Sequence, residues 1–423
     1  MTERRDPEIP TIGLVLSGGG ARGAYEAGVL SYLFEDLPAR LGRPVRFGIL
    51  TGTSVGAIHA CYTAAWQQDP SAFTRLVETW RSLTLDRVFP VGAVDLVRVP
   101  WRLLGFGSAP PPLPPTPRTP GKLRGLFDTT WLESIVLDSI DWHSLRRNID
   151  AGDISALAVA ATEIATGRSV VFVDGRHGDL PVWTSDPFVV ARRAEIGPPH
   201  ALASAAIPLL FPAIHIGRTY YCDGGLRLNT PLAPALRLGA DRVLVISLRH
   251  LRSAAEEDRV AHHRETSFAS PTYLLGKALN ALLLDRIEED LHQLHLFNAI
   301  LEQGERAYGA DFARHINEFV GAERGRTYRV VPDLVVRPSQ DLGELAARCL
   351  SGRRSRGVRD WLSHNVVRYL GRGIPIEADL LSYLFFDGCY TERLIDLGRR
   401  DAEHAAGALA RFLSDPVPGP GPL

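Results

Sequence analysis

The sequence predicts an α/β fold, a three-layer sandwich with a mostly parallel central sheet, followed by a largely helical C-terminal region. Three observations carry this. Short apolar runs alternate with helical patterns through the first 250 residues, as repeated strand–helix units do. The first two of those runs end in glycine-rich turns that lead straight into helices, the place where open α/β sheets hold ligands. Beyond residue 250 the pattern changes to long stretches of helical spacing.

The first strand-like run, Gly13–Leu16, meets Ser17-Gly18-Gly19-Gly20-Ala21-Arg22-Gly23, and the second, Phe47–Leu50, meets Thr51-Gly52-Thr53-Ser54-Val55-Gly56. Further runs lie at Ile154–Ala161, Ser169–Val173 and Arg242–Leu248. The first two of these, joined across Thr166-Gly167-Arg168, leave open a hairpin at one sheet edge. An insertion over residues 90–125 precedes them. Its proline-rich centre, Ala109–Pro117, cannot join a helix or sheet interior. It reads as a surface loop with a polyproline linker. The apolar Val97–Phe106 before it leaves open a flap over the site that touches a membrane.

Past residue 250, Tyr273, Leu274, Ala278, Leu282, Ile287, Leu291 and Leu294 keep helical spacing. The opposite side is acidic, so this helix is expected to pack on the first domain rather than lie on a membrane. Tyr328–Pro338 reads as a strand that adds to the sheet, and Leu380–Phe386 and Tyr390–Phe412 as helices. Arg348, Arg353, Arg354, Arg356 and Arg359 form a basic cluster, read as a solvated helix flank or an anionic-lipid contact. The expected organisation is a catalytic domain over 10–250 containing the insertion, a mainly helical region over 251–413, and a disordered Pro/Gly tail over 414–423.

Gly52-x-Ser54-x-Gly56 after a strand fits a nucleophile elbow, a strained turn that lifts a serine hydroxyl out at the top of a sheet. Small residues at Gly52 and Gly56 let strand and helix backbones pass close to each other. A serine there needs donors for the oxyanion it creates. The Gly18–Gly20 loop offers them, because backbone N–H groups at a helix start point at negative charge. Two other readings of the first loop are weaker. A dinucleotide fingerprint needs an acidic residue ending the second strand, where Thr51-Gly52-Thr53-Ser54 stands, and a phosphate loop needs a Gly-Lys-Ser/Thr that does not follow.

Tyr221-Cys222-Asp223-Gly224-Gly225 lies far downstream. The ordered trio GGGARG, GTSVG and DGG, over roughly residues 10–250, resembles the patatin-like phospholipase family of lipid acyl hydrolases in its bacterial form. The flanks Ala203–Pro208, Phe211-Pro212 and Asn229-Thr230-Pro231 look like that family too. The resemblance implies a serine–aspartate dyad without histidine, with Ser54 as nucleophile and Asp223 as base. It places Gly18, Gly19, Gly20 and Arg22 around the oxyanion, with Gly23, Gly52, Gly56, Gly224 and Gly225 as motif support. Arg22 has a plainer reading as a surface cation at a helix start. An ordinary α/β-hydrolase would instead need a late histidine, such as His364 or His404, and would leave the DGG turn without a role.

A free aspartate, with a pKa near 3.9, is a weak base, so burial is expected to raise the Asp223 carboxyl toward working pH. The implied reaction is cleavage of carboxylic esters of lipids, of phospholipase A or lysophospholipase type, through an acyl-enzyme. Acyl transfer to an alcohol by the same acyl-serine, or a catalytically silent lipid-binding module, are the alternatives.

The formal net charge of −1 gives no electrostatic case for nucleic acid. Lysine occurs only at Lys122 and Lys277, so any contact with an anionic head group falls to arginine. Cys61, Cys222, Cys349 and Cys389 show no metal-ligand spacing and read as buried or incidental thiols in a reducing compartment. No cofactor or metal is implied. The charged Met1–Pro7 lacks a signal-peptide layout, and no run of eighteen apolar residues occurs. The expectation is cytoplasmic residence with peripheral membrane contact and a phospholipid or other lipid ester as substrate, the oligomeric state being open.

Overall fold

The computed structural model describes residues 11–88, 129–175, 188–208, 210–252, 287–324, 328–352 and 382–414. The insertion, the basic cluster beyond Arg348, His364 and the 415–423 tail therefore lie outside the described residues.

Among the described residues, a nine-stranded sheet forms the centre. In chain order the strands are β1 (Ile12–Leu16), β2 (Ile49–Thr53), β3 (Ala156–Glu163), β4 (Ser169–Gly175), β5 (Val189–Arg193), β6 (Ile214–Ile216), β7 (Thr219–Asp223), β8 (Arg242–Ile246) and β9 (Asp333–Val336). The main path runs β5-β4-β3-β2-β1-β8-β9, and its block β3-β2-β1-β8-β9 is parallel throughout. β3 and β4 form the antiparallel hairpin that the sequence left open, and β9 is the strand read in Tyr328–Pro338.

Alternation along the strands explains why these runs are apolar throughout. Leu14, Leu16, Leu50, Leu157, Val159, Leu244 and Ile246 enter one core, while Val15, Ile49, Ala158, Ala160, Val243 and Val245 enter the other. Both faces are covered, which is the condition that favours parallel sheets with unbroken hydrophobic strands. The first core receives α1 (Gly23–Ser31), α2 (Val55–Trp66) and α3 (Ser71–Ser82). The second receives α4 (Leu232–Leu238) and α5 (Ile287–Tyr308), whose Ile287, Leu291 and Leu294 are buried against the sheet as their spacing predicts.

The C-terminal region departs from the sequence reading at two of its cysteines. The helix α7 (Gly388–His404), begun by Asp387 capping the Cys389 amide, lies directly on α1. Cys349, on α6 (Leu342–Gly352), forms a disulfide with Cys389, across a sequence separation of 40. These two cysteines are thus not the incidental thiols expected of them, whereas Cys61 and Cys222 are free and buried. The pairing was illegible because neither cysteine sits in a recognisable motif and the two helices that carry them are brought together only by the fold.

The elbow packing gives a folding prediction. A Cβ at Gly56 would stand 2.4 Å from the Leu16 carbonyl oxygen, and one at Gly52 would stand 2.2 Å from the Gly56 carbonyl oxygen. Backbone cannot yield as a flexible side chain does. Gly56→Ala is expected to lower stability by about 3 kcal/mol or more, read from the midpoint of urea unfolding. Gly42→Ala, at a surface position with nothing within 4 Å, is the control and should lose only about 1–2 kcal/mol through its φ of 67°.

Candidate active site

Topology brings the pieces together. Thr53, the last residue of β2, pairs with Ala160 on β3, and Ala161 pairs with Asp223 on β7. β3 outruns β2, and β7 fills the vacated edge, so Asp223 arrives beside the residue that follows β2. That residue is Ser54. Its hydroxyl donates to Asp223 Oδ2 at 2.6 Å, with both residues buried.

Ser54 holds φ 55° and ψ −126°, the one non-glycine residue with positive φ among the described residues. Strain of this kind persists only where surroundings over-determine it. The surroundings here are explicit. The Ser54 amide donates to Ser204 Oγ at 2.8 Å, and Ser204 donates to the Ala160 carbonyl at 2.5 Å. Thr51 and Thr53 donate to the Pro231 and Leu228 carbonyls, tying β2 to the loop after the DGG turn.

Asp223 is held as firmly. Its Oδ1 accepts from the Gly225 amide at 2.7 Å, its own amide donates to the Ala206 carbonyl, and its carbonyl accepts from Thr162 Oγ1. Gly224 is required because a Cβ there would stand 2.4 Å from the Ala160 carbonyl oxygen. Burial pushes the Asp223 carboxyl up to about 6, partly offset by the hydrogen bonds from Ser54 and Gly225. The sequence expected this direction from the demands of the chemistry.

No histidine hydrogen-bonds Ser54 or Asp223 among the described residues. His404 is exposed at the end of α7. His59 is buried, sharing its Nδ1 with Glu26 at 2.8 Å and accepting from the Trp80 indole at 2.9 Å on Nε2, and burial lowers its pKa to about 3. It remains a neutral structural link between α1, α2 and α3.

The glycine loop follows β1 and enters α1 through the short turn Gly20–Arg22. One expectation needs correction. The Gly18 amide donates to the Asn229 carbonyl at 2.9 Å, while Asn229 Nδ2 donates back to the Gly18 carbonyl at 3.1 Å. Gly18 is thus a fastening point and not an available donor. The amides of Gly19 and Gly20 meet no protein acceptor among the described residues, nor does that of Val55, just after the serine. Gly20 adopts φ 55°. Ser17 Oγ lies 2.6 Å from Thr230 Oγ1 and secures the loop's first residue.

Arg22 is not a surface cation. It is buried, its Nε donates to Ser382 Oγ at 2.7 Å, and its guanidinium stands 4.1 Å from the centre of the Tyr383 ring. Of the remaining motif glycines, Gly23 packs against Val55 and Trp80, and Gly225 against Asn229 and Asp223. Ser204, Asn229 and Thr230, which in the sequence are only flanks of the DGG turn, are functional fastenings of the site. Their signal was a small polar residue standing in an otherwise apolar flank.

A three-layer α/β sheet with a strained serine after its second strand and a buried aspartate in reach defines a class of elbow-type serine proteins. The family model for patatin-like phospholipases matches residues 14–236, and the chain belongs to that family. It is 31% identical over 227 residues to a cGAMP-activated phospholipase of Pseudomonas aeruginosa, over 53% of this chain and 55% of that protein. The chain thus matches about half the length of this curated relative. Among solved structures, human GIVD cytosolic phospholipase A2 is similar at 12% identity and TM-score 0.40, covering 98% of this chain and 61% of that one. VipD from Legionella pneumophila is similar at 13% identity and TM-score 0.31, covering 94% and 72%.

Proposed function

We propose that this chain is a serine acyl hydrolase that cleaves carboxylic esters of lipids, of phospholipase A or lysophospholipase type, through a Ser54–Asp223 dyad. The observation that carries this is the 2.6 Å hydrogen bond from the strained Ser54 to a carboxylate whose pKa is raised to about 6. A serine hydroxyl becomes a nucleophile when a neighbour takes its proton, and a carboxylate near pH 6 does so far better than one near 4.

In this reading Ser54 Oγ attacks the ester carbonyl carbon while its proton passes to Asp223 Oδ2. The carbonyl electrons move onto oxygen, where the Gly19 and Gly20 amides receive the charge. Collapse re-forms the carbonyl and breaks the bond to the leaving alcohol, which takes the proton from Asp223. Asp223 then deprotonates a water that attacks the acyl-Ser54, releasing fatty acid and restoring the serine. Catalysis by the domain over 10–250 at a membrane surface completes the proposal. No helix of the described residues is long and apolar enough to cross a membrane.

The test is hydrolysis of a soluble p-nitrophenyl ester and of phospholipid vesicles, with and without cGAMP because the relative is described as cGAMP-activated. Cleavage of both supports a lipid hydrolase. Ester cleavage alone keeps the mechanism and removes the phospholipid. An alcohol acceptor that diverts the acyl group supports acyl transfer, and inactivity on both contradicts the proposal.

The pH dependence follows from Asp223. It acts as base only when ionised, so kcat is expected to fall about tenfold per pH unit below about 6 and to level off above it. A pH–rate profile on the soluble ester checks this.

A further inference from the structure

The glycine loop of the site leans on chain far outside the family match. Ser382 is fully buried and accepts from Arg22 Nε at 2.7 Å, while the Tyr383 ring lies under the guanidinium at 4.1 Å. The Tyr383 backbone closes on the loop itself, because a Cβ on Gly20 would stand 2.3 Å from the Tyr383 carbonyl oxygen. Gly20, whose amide is one of the two oxyanion donors of the proposed reaction, is thus backed by Tyr383 and flanked by Arg22.

The segment after Tyr383 is anchored to the same helix that the loop starts. Phe386 stacks on Trp80 at 6.2 Å, and Trp80 packs against Gly23 at the start of α1. α7 then crosses α1 at backbone contact, where Cβ atoms on Gly28 and Gly398 would each stand 2.2 Å from a carbonyl oxygen of the other helix. Tyr25 also donates to Asp401 at 3.1 Å, and the Cys349–Cys389 disulfide ties down the beginning of α7. A segment merely covering the surface would not need this close packing.

We infer that Ser382 and Tyr383 are positioning residues, which act through Arg22 to hold the Gly19 and Gly20 amides toward the oxyanion. Arg22 is a clamp between loop and C-terminal segment rather than a contact to the reacting oxygen. This rests on the reaction proposed above. The stack and the Nε–H bond both depend on a planar guanidinium, so a lysine, which keeps the charge, cannot replace it.

The experiment measures kcat and KM on the soluble ester, and the rate at which a fluorophosphonate modifies Ser54, for Ser382→Ala, Ser382→Thr, Arg22→Lys, Arg22→Gln and the Arg22→Gln/Ser382→Ala pair. Loss of an oxyanion donor lowers kcat by about 10²–10³ elsewhere, so a misplaced donor is expected to lower it by about tenfold or more. Ser382→Ala should show that fall with KM within about twofold and with Ser54 labelling slowed in parallel, while Ser382→Thr restores the rate. Arg22→Lys should resemble Arg22→Gln, and the double variant should be no slower than Arg22→Gln alone, since the two residues act as one unit. Thermal unfolding of each variant shows that it is folded at the assay temperature.

Unchanged kcat and labelling in Ser382→Ala, multiplicative losses in the pair, or full activity in Arg22→Lys would each overturn the clamp. Wild-type protein that neither turns over ester nor labels at Ser54 would overturn the parent reaction as well. The two failures are therefore distinguishable.

Discussion

Ester hydrolysis by the Ser54→Ala variant is expected to fall at least about 10³-fold, to a level set by the uncatalysed reaction and whatever the glycine loop alone supplies. The loss comes from one atom. Without Oγ there is no acyl-enzyme, and Asp223 faces a methyl group where it accepted a 2.6 Å hydrogen bond. A second variant separates chemistry from strain. Ser54→Gly should be equally inactive, yet more stable than Ser54→Ala by about 1 kcal/mol or more, because glycine adopts φ 55° and ψ −126° without strain. Equal stability of the two variants would mean that the elbow is not strained in solution.

Asp223→Asn is expected to act in opposite directions on activity and stability. Activity should fall by about 10³-fold or more, since an amide cannot accept the serine proton. Stability at pH 7 should rise. A carboxylate displaced from 3.8 to about 6 opposes folding by about 3 kcal/mol once both states are ionised, and a neutral amide removes that burden. The sign follows from proton counting. Between pH 3.8 and about 6 the folded protein binds more protons than the unfolded chain, so wild-type stability falls as pH rises through that window and stays low above it. The gain in Asp223→Asn should therefore be largest above pH 6 and small near pH 4, and urea unfolding at the two pH values measures it. Loss of stability at pH 7 would show that the site does not destabilise the folded state in this way.

The parts of the site that were legible in the sequence are those where backbone geometry dictates the residue. Gly52 and Gly56 are there because carbonyl groups pass within 2.2–2.4 Å of where a Cβ would stand. Ser54 was legible because it stands between them. Asp223 was different. Asp-Gly is an ordinary turn dipeptide, and only its order after the two upstream turns singled it out. Its placement depends on β7 pairing with the overhang of β3, a partnership between short segments 60 residues apart in sequence with no periodic signal of its own. The strands β5, β6 and β7 escaped the reading because VVARR, IHI and TYYCD mix polar and charged residues into the run, where β1 and β8 read as nearly unbroken apolar stretches.

The polar fastenings were hidden for another reason. Ser204 and Asn229 look like ordinary small polar residues until the chain folds back and gives each one a backbone partner. Gly18 looked like a donor because the sequence shows that an amide is present but not that Asn229 has already taken it. The bond from Arg22 to Ser382 spans 360 residues, and no local pattern encodes a contact of that range. The core was easier. Strand alternation between two covered faces and the spacing of Ile287, Leu291 and Leu294 are properties of the sequence itself.

The most direct test of the central claim is to treat the folded wild-type protein with a fluorophosphonate, which phosphonylates activated serines, and locate the adduct by peptide mass spectrometry. The account predicts one adduct per chain, on Ser54, forming faster above pH 6 than below it and absent from Ser54→Ala. Modification at another residue, or undiminished labelling of Ser54→Ala, would contradict it.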